Sequence, residues 1–227
     1  MSEAWRQLLY PLGFLSSIAF TARFLNQWIV SEQQKKSVVT SMFWKLSLLG
    51  NILLFIHSFI QIQFHVCFVQ ACNAVISWRN LNLMQPAQQQ WKLSSTILLM
   101  LAGIAATVAG FILQSHFVHD SYQDWFRSPI SRWSNPEQSS VNNWWHAAGF
   151  LGLILFNSRF WIQWWGAEKL HKSYLGPVFW WMSLAGAVLC MIYFLRIMDL
   201  INLVGPLFGL IPYVRNLMIL HKSKQSA

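Results

Sequence analysis

Two arginine–glutamine pairs are the residues best placed to do chemistry. Arg23 and Gln27 lie four positions apart, as do Arg159 and Gln163, so each pair shares one face of a helix. Both pairs sit in long apolar blocks. An ionisable side chain there is costly and marks a functional site by default. A guanidinium offers a planar fork of donors that fits phosphate oxygens, and a neighbouring amide can add hydrogen bonds. The pattern points to a two-arginine clamp for an anionic group such as a lipid phosphate. Two structural alternatives stay open: snorkelling to the cytoplasmic interface, or ion pairs with Glu32 and Glu168.

Other polar residues carry weaker expectations. Glu32 and Lys36, mirrored by Glu168 and Lys172, form i,i+4 pairs if the helix continues that far. Asn51 and His57 could line a polar cavity or bond across helices. Ser47 with Gly50, and Ser183 with Gly186, are three apart, a spacing of small residues that permits close helix packing. Phe43-Trp44 and Phe179-Trp180 open apolar blocks and read as an aromatic belt at headgroup depth. His116, His119, Asp120 and Asp124 match no metal-ligand spacing, so no metal is expected. No nucleophile–base set, paired catalytic carboxylates or phosphate-cradling glycine loop is evident. No catalytic residue and no cofactor are therefore assigned.

Composition dictates the elements that must hold these side chains. The 227 residues are 55% hydrophobic and only 10% charged, whereas soluble domains carry about 25% charged residues. The apolar residues fall in blocks near the length a helix needs to cross a bilayer. This is an all-α polytopic membrane protein, with spans expected at about 8–28, 42–60, 64–82, 94–114, 144–164, 178–197 and 199–219. The first is expected to be a retained helix and not a cleaved signal. Cys67, Cys72 and Cys190 lie within apolar blocks and read as small hydrophobes.

The net charge of +9 comes without a basic stripe or zinc spacing, so no nucleic acid partner is expected. Arg6, Arg127, Arg132 and Arg196 fall on one side of the spans. Lys35, Lys36, Arg79, Lys92, Lys169, Lys172, Arg215, Lys222 and Lys224 fall on the other. Loops rich in Lys and Arg stay cytoplasmic, which places the N-terminus outside and the C-terminus inside. The 115–143 loop, with Trp125, Phe126 and Trp133, is then external and partly amphipathic.

The chain also repeats itself. Shifting it by 136 residues aligns Gly13–Gly50 with Gly149–Gly186 without a gap, and 17 of the 38 positions are identical. That is far beyond the few matches that composition alone gives, so the repeat is a tandem duplication. The same register pairs Arg79-Asn80 with Arg215-Asn216 and extends the repeat over three helices. Two three-helix units with one helix between them must point the same way, an arrangement of 3+1+3 with parallel repeats. The units are 8–82 and 144–219. The spacer helix (94–114) and external loop lie within 83–143, and 220–227 forms a cytoplasmic tail. Ala102, Gly103, Ala105, Ala106, Ala109 and Gly110 suit the spacer to packing.

The repeated string is Arg23-Phe24-x-x-Gln27-Trp28, Glu32, Lys36-Ser37, Phe43-Trp44, Ser47 and Gly50. It returns as Arg159-Phe160-x-x-Gln163-Trp164, Glu168, Lys172-Ser173, Phe179-Trp180, Ser183 and Gly186. It resembles the lipid-A-disaccharide synthase N-terminal-domain family (LAB_N), present twice. That family in turn resembles the PQ-loop, SemiSWEET and SWEET group. The Pro-Gln dipeptide is absent, since Asn26 and Ile162 precede the two glutamines, so nothing supplies a helix break there.

The resemblance implies a bacterial inner-membrane protein linked to lipid A, and hence lipopolysaccharide, biosynthesis. It implies as partners a membrane lipid, such as a lipid A precursor or lipid-linked sugar, and a glycosyltransferase. The leading expectation is binding or translocation of a phosphate-bearing glycolipid. Alternatives are an anchor or accessory subunit of the glycosyltransferase, and transport of free sugar as in SWEETs. No alternating strand–helix pattern that could build a nucleotide-sugar-binding domain is present. The disaccharide-forming activity is therefore not expected of this chain unaided.

Overall fold

The structure is a computed structural model that describes residues 3–118, 125, 143–196 and 200–225. A short helix α1 (Glu3–Leu9) and a 3-10 turn (Tyr10–Leu12) lead into α2 (Gly13–Gln34). There follow α3 (Ser41–Ile60), α4 (Phe64–Leu83), α5 (Leu93–Val118), α6 (Asn143–Leu170), α7 (Pro177–Arg196) and α8 (Leu200–Gln225). The all-helical class and the seven long helices agree with the hydropathy pattern. Among the described residues, five stretches are long and apolar enough to cross a membrane: 6–34, 41–60, 93–116, 177–196 and 203–222. Helices α4 and α6 are not among them, because Gln70, Asn73 and Arg79 interrupt one and Arg159, Gln163 and Glu168 the other. Several helices run past the expected spans, since polar residues prolong a helix as readily as apolar ones. Neither α2 nor α6 breaks at its glutamine.

Both first helices of the repeated units stop in the same unusual way. Lys35 and its counterpart His171 adopt left-handed backbone, with φ of 51° and 47°, a position usually given to glycine. The next N–H, of Lys36 or Lys172, then bonds back to the carbonyl of Ser31 (3.2 Å) or Ala167 (3.1 Å). The chain leaves the helix before Lys36 and Lys172, which corrects the expected pairing of these lysines with Glu32 and Glu168. Thr40 restarts the helix: its Oγ1 accepts the Phe43 N–H at 3.2 Å, a side-chain N-cap.

Packed neighbours run α2–α3, α3–α4, α4–α6, α6–α7, α7–α8 and α8–α2, which closes a ring of six helices. The ring interior is aromatic, with Phe24, Phe43, Trp44, Phe160, Phe179, Trp180 and Tyr213 in one cluster. Trp44 and Trp180 are wholly buried, which corrects the aromatic-belt expectation for them. The outer surface is apolar instead: Ile18, Leu98, Trp165 and Trp181 are 61–66% exposed, as lipid-facing side chains are.

Close packing within the ring relies on the two repeated glycines. A Cβ on Gly50 would lie 2.5 Å from the Phe20 ring, and one on Gly186 would lie 2.7 Å from the Phe156 backbone nitrogen. Helix α5 lies outside the ring against α4. Its Ala102, Ala105, Ala106 and Ala109 are exposed, and a Cβ on Gly103 would meet nothing within 4 Å. The expectation that the spacer's small residues pack within the chain is therefore corrected for that face. The reason is that α5 meets α4 through its other side, where Thr107 and Phe111 are buried. Trp125 closes one end of this contact: its indole donates to Ser115 Oγ at 2.7 Å and its ring lies against Phe64 and Phe111. His119, Asp120 and Asp124 lie outside the described residues.

Candidate functional site

Repeated polar residues converge on the seam between the two units, where the amide and indole bonds recur 136 residues apart. Gln27 and Asn216 exchange amide bonds at 2.8 and 2.9 Å; Gln163 and Asn80 do the same at 2.7 and 3.2 Å. Trp44 donates to Ser173 at 2.8 Å and Trp180 to Ser37 at 3.1 Å. Those two serines donate in turn to Asn80 and Asn216. Such fully satisfied networks, buried in an apolar interior, rigidify and specify a unique packing.

A second layer consists of two bidentate ion pairs. Arg79 donates to both carboxylate oxygens of Glu168 at 2.6 and 2.8 Å, and Arg215 does so to Glu32 at 2.5 and 2.8 Å. Trp164 and Trp28 add an indole N–H to the same carboxylates. The pairs differ in burial: the Arg79 and Glu168 side chains are 3% and 10% exposed, those of Arg215 and Glu32 39% and 34%. Arg79 is further held by Asn82 Oδ1 and the Trp91 carbonyl. Burial works against ionisation of Glu168, but the Arg79 and Trp164 hydrogen bonds outweigh it and hold the carboxyl below its usual range.

Arg23 and Arg159 take no part in these pairs. Arg23 donates to Ser47 Oγ at 3.0 Å and Arg159 to the Tyr213 hydroxyl at 3.2 Å. Their guanidinium carbons lie 4.6 and 5.7 Å from the Phe24 ring, and 5.2 and 4.8 Å from Phe160. The two cations thus lie against the same two rings. Phe20 and Phe43 also lie against Arg23; Phe156, Phe179 and Tyr213 also lie against Arg159. The side chains are 5% and 0% exposed, and among the described residues neither has a carboxylate partner. Arg23 Nε and Arg159 Nε and Nη2 have no hydrogen-bond partner. Aromatic faces attract a cation but leave such donors unsatisfied, and an unpaired buried charge is expensive.

The remaining candidates divide as follows. Ser47 and Ser183 bond back to the carbonyls of Phe43 and Phe179. Asn51 donates across helices to Ser77 at 3.1 Å, the second of its two expected roles. His57 is buried edge-on to Tyr10 at 5.5 Å. Lys36 and Lys172 are exposed and stand apart from the seam network. Arg79, Asn80, Arg215 and Asn216 were visible in the sequence only as a repeated dipeptide, and their partners were not. Tyr213 left no such signal, because its counterpart is Ser77.

The Lipid A Biosynthesis N-terminal domain matches the chain twice, at residues 12–82 and 148–218. The chain belongs to this family. It is 35% identical over 219 residues to a lipid-A-disaccharide synthase of Chlamydia felis, covering 96% of this chain and 34% of the relative. Similar matches are the enzymes so named of Chlamydia caviae, 34% identical over 218 residues, and Chlamydia pneumoniae, 34% over 221, each with the same coverage. The chain therefore spans about a third of the length of these curated relatives. No solved structure matches it. Family membership and the apolar helices together make it a membrane protein linked to lipid A biosynthesis.

Proposed function

We propose that this protein binds a phosphate-bearing glycolipid of lipid A biosynthesis, with the phosphate held between Arg23 and Arg159. The observation that carries this reading is the state of the two arginines. Two buried guanidiniums face the same two phenylalanines, have no acidic partner among the described residues and retain unpartnered donors. A lipid phosphate supplies the missing charge and acceptors together. The glutamines of the original pairs are engaged by Asn216 and Asn80, so binding falls to the arginines.

The accompanying architecture is two parallel three-helix units in a 3+1+3 order, with the C-terminus cytoplasmic in a bacterial inner membrane. Positive-inside charge placement supports that orientation, and the paired bonds 136 residues apart support the parallel units. A second reading, an anchor or accessory subunit for a lipid-A-disaccharide synthase, is favoured by the match to about a third of such enzymes. Free sugar transport is not favoured, because aromatic side chains fill the ring interior.

Native mass spectrometry of the full chain, titrated with a diacylated glucosamine 1-phosphate, tests the binding reading. The Arg23→Gln and Arg159→Gln variants should each weaken binding at least tenfold. Unchanged binding in both would remove the clamp and leave the anchor reading.

A further inference from the structure

The two units are not equivalent away from the seam. In the first unit, α3 carries Asn51, His57 and Ser58 and α4 carries Gln70, Asn73 and Ser77; all six side chains are 8% exposed or less. Their counterparts in the second unit are Ala187, Tyr193, Phe194, Pro206, Gly209 and Tyr213. Polar residues thus face apolar or aromatic ones at each of the six positions. If these groups were needed only to fold a three-helix unit, the second unit would require them as well.

Four of them are also unsatisfied. His57 Nδ1, Ser58 Oγ, Gln70 Oε1 and Asn73 Oδ1 are buried without a hydrogen-bond partner among the described residues. In a membrane interior there is little bulk water to satisfy them, and native proteins leave few such atoms without a reason. Asn73 connects back to the arginines. Arg23 bonds Ser47, Asn51 lies one turn beyond Ser47 and bonds Ser77, and Ser77 bonds the Asn73 carbonyl. Gln70, Asn73 and Ser77 then recur three to four residues apart, in steps of roughly 5 Å along one face of α4.

We infer that this track in the first unit binds the uncharged, hydroxyl- and amide-bearing sugar of a glycolipid whose phosphate lies between the arginines. This deepens the proposed function and rests on it. The groups are neutral and include amide acceptors, which suits sugar hydroxyls and acylamino N–H groups. Their confinement to one unit gives a duplicated scaffold a single binding orientation: the phosphate sits at the shared seam and the sugar extends into the first half.

The test uses the full chain in phosphatidylcholine nanodiscs and two probes. One is phosphatidic acid, which has a phosphate and no sugar; the other is a diacylated glucosamine 1-phosphate. The Gln70→Leu/Asn73→Leu double variant should bind the glucosamine phosphate about tenfold more weakly and phosphatidic acid as the unaltered chain does. Its thermal unfolding temperature should not fall, because the substitutions remove unsatisfied polar atoms; that readout guards against misfolding. Equal weakening toward both probes, or no weakening toward either, would overturn the sugar track while leaving phosphate binding at the arginines in place. Failure of the unaltered chain to bind either probe would instead sink the proposed function, and the sugar track with it.

Discussion

The two Arg–Glu clamps occupy equivalent positions in the duplicated units but very different surroundings, so matched substitutions should give unequal results. Glu168→Gln keeps the size of the side chain and removes its charge. Arg79, 3% exposed, loses two charge-assisted bonds and remains a buried cation. Breaking a buried ion pair on one side costs about 3–5 kcal/mol. Asn82 and the Trp91 carbonyl still hold Arg79, which places the loss at about 3 kcal/mol. For a chain of this size each kcal/mol corresponds to about 2–4 °C in Tm, so the expected fall is roughly 6–12 °C. Glu32→Gln breaks the half-exposed clamp with Arg215, where water replaces the lost bonds, and should lower Tm by less than a third as much. Thermal unfolding of both variants in the same detergent, followed by near-ultraviolet circular dichroism, makes the comparison. Equal shifts, or a larger one for Glu32→Gln, would refute the burial argument. Arg79→Met combined with Glu168→Leu should recover most of the loss, since no buried charge is left unpaired.

Three further outcomes follow from the packing of the ring and its seam. Gly186→Ala drives a Cβ against the Phe156 backbone and should cost about 1–3 kcal/mol, whereas Gly50→Ala meets the movable Phe20 ring and should cost less, as paired melting curves would read. Gln163→Leu leaves the buried Asn80 amide short of a partner, a loss of about 1–3 kcal/mol; adding Asn80→Leu should cost less than the sum of the single changes in a double-mutant cycle. The Glu168 carboxyl titrates below its unfolded value of about 4.3, so its stabilisation is complete above that value and disappears as pH falls through the lower folded one. Melting temperature should drop on acidification below about pH 4, and Glu168→Gln should flatten that drop.

The helices and the duplication were legible because a 20-residue apolar block and a 136-residue register depend on local pattern alone. The burial of Arg23 and Arg159 was one of the outcomes their spacing left open, beside snorkelling to the interface and ion pairs with Glu32 and Glu168. What sequence spacing misjudged was which neighbours are local. Glu32 and Lys36 stand at helical spacing, yet the left-handed Lys35 ends the helix between them, and no glycine announces that turn. Trp44 and Trp180 have the amphipathic character of interfacial residues, but their indoles reach Ser173 and Ser37 in the opposite unit. Those contacts span more than a hundred residues, and only the closed ring of helices brings them together. The repeated Arg-Asn dipeptides of α4 and α8 carried the missing signal, because each completes a bond that the first helix of the other unit begins.

A lipid phosphate seated between Arg23 and Arg159, as proposed, lies within reach of both guanidiniums. Solid-state NMR can measure dipolar dephasing between arginine guanidinium nitrogens and lipid phosphorus in nanodiscs loaded with a diacylated glucosamine 1-phosphate. Dephasing should appear at two guanidinium signals, one lost in Arg23→Gln and the other in Arg159→Gln. Saturated lipid binding with no dephasing at either arginine would contradict that placement.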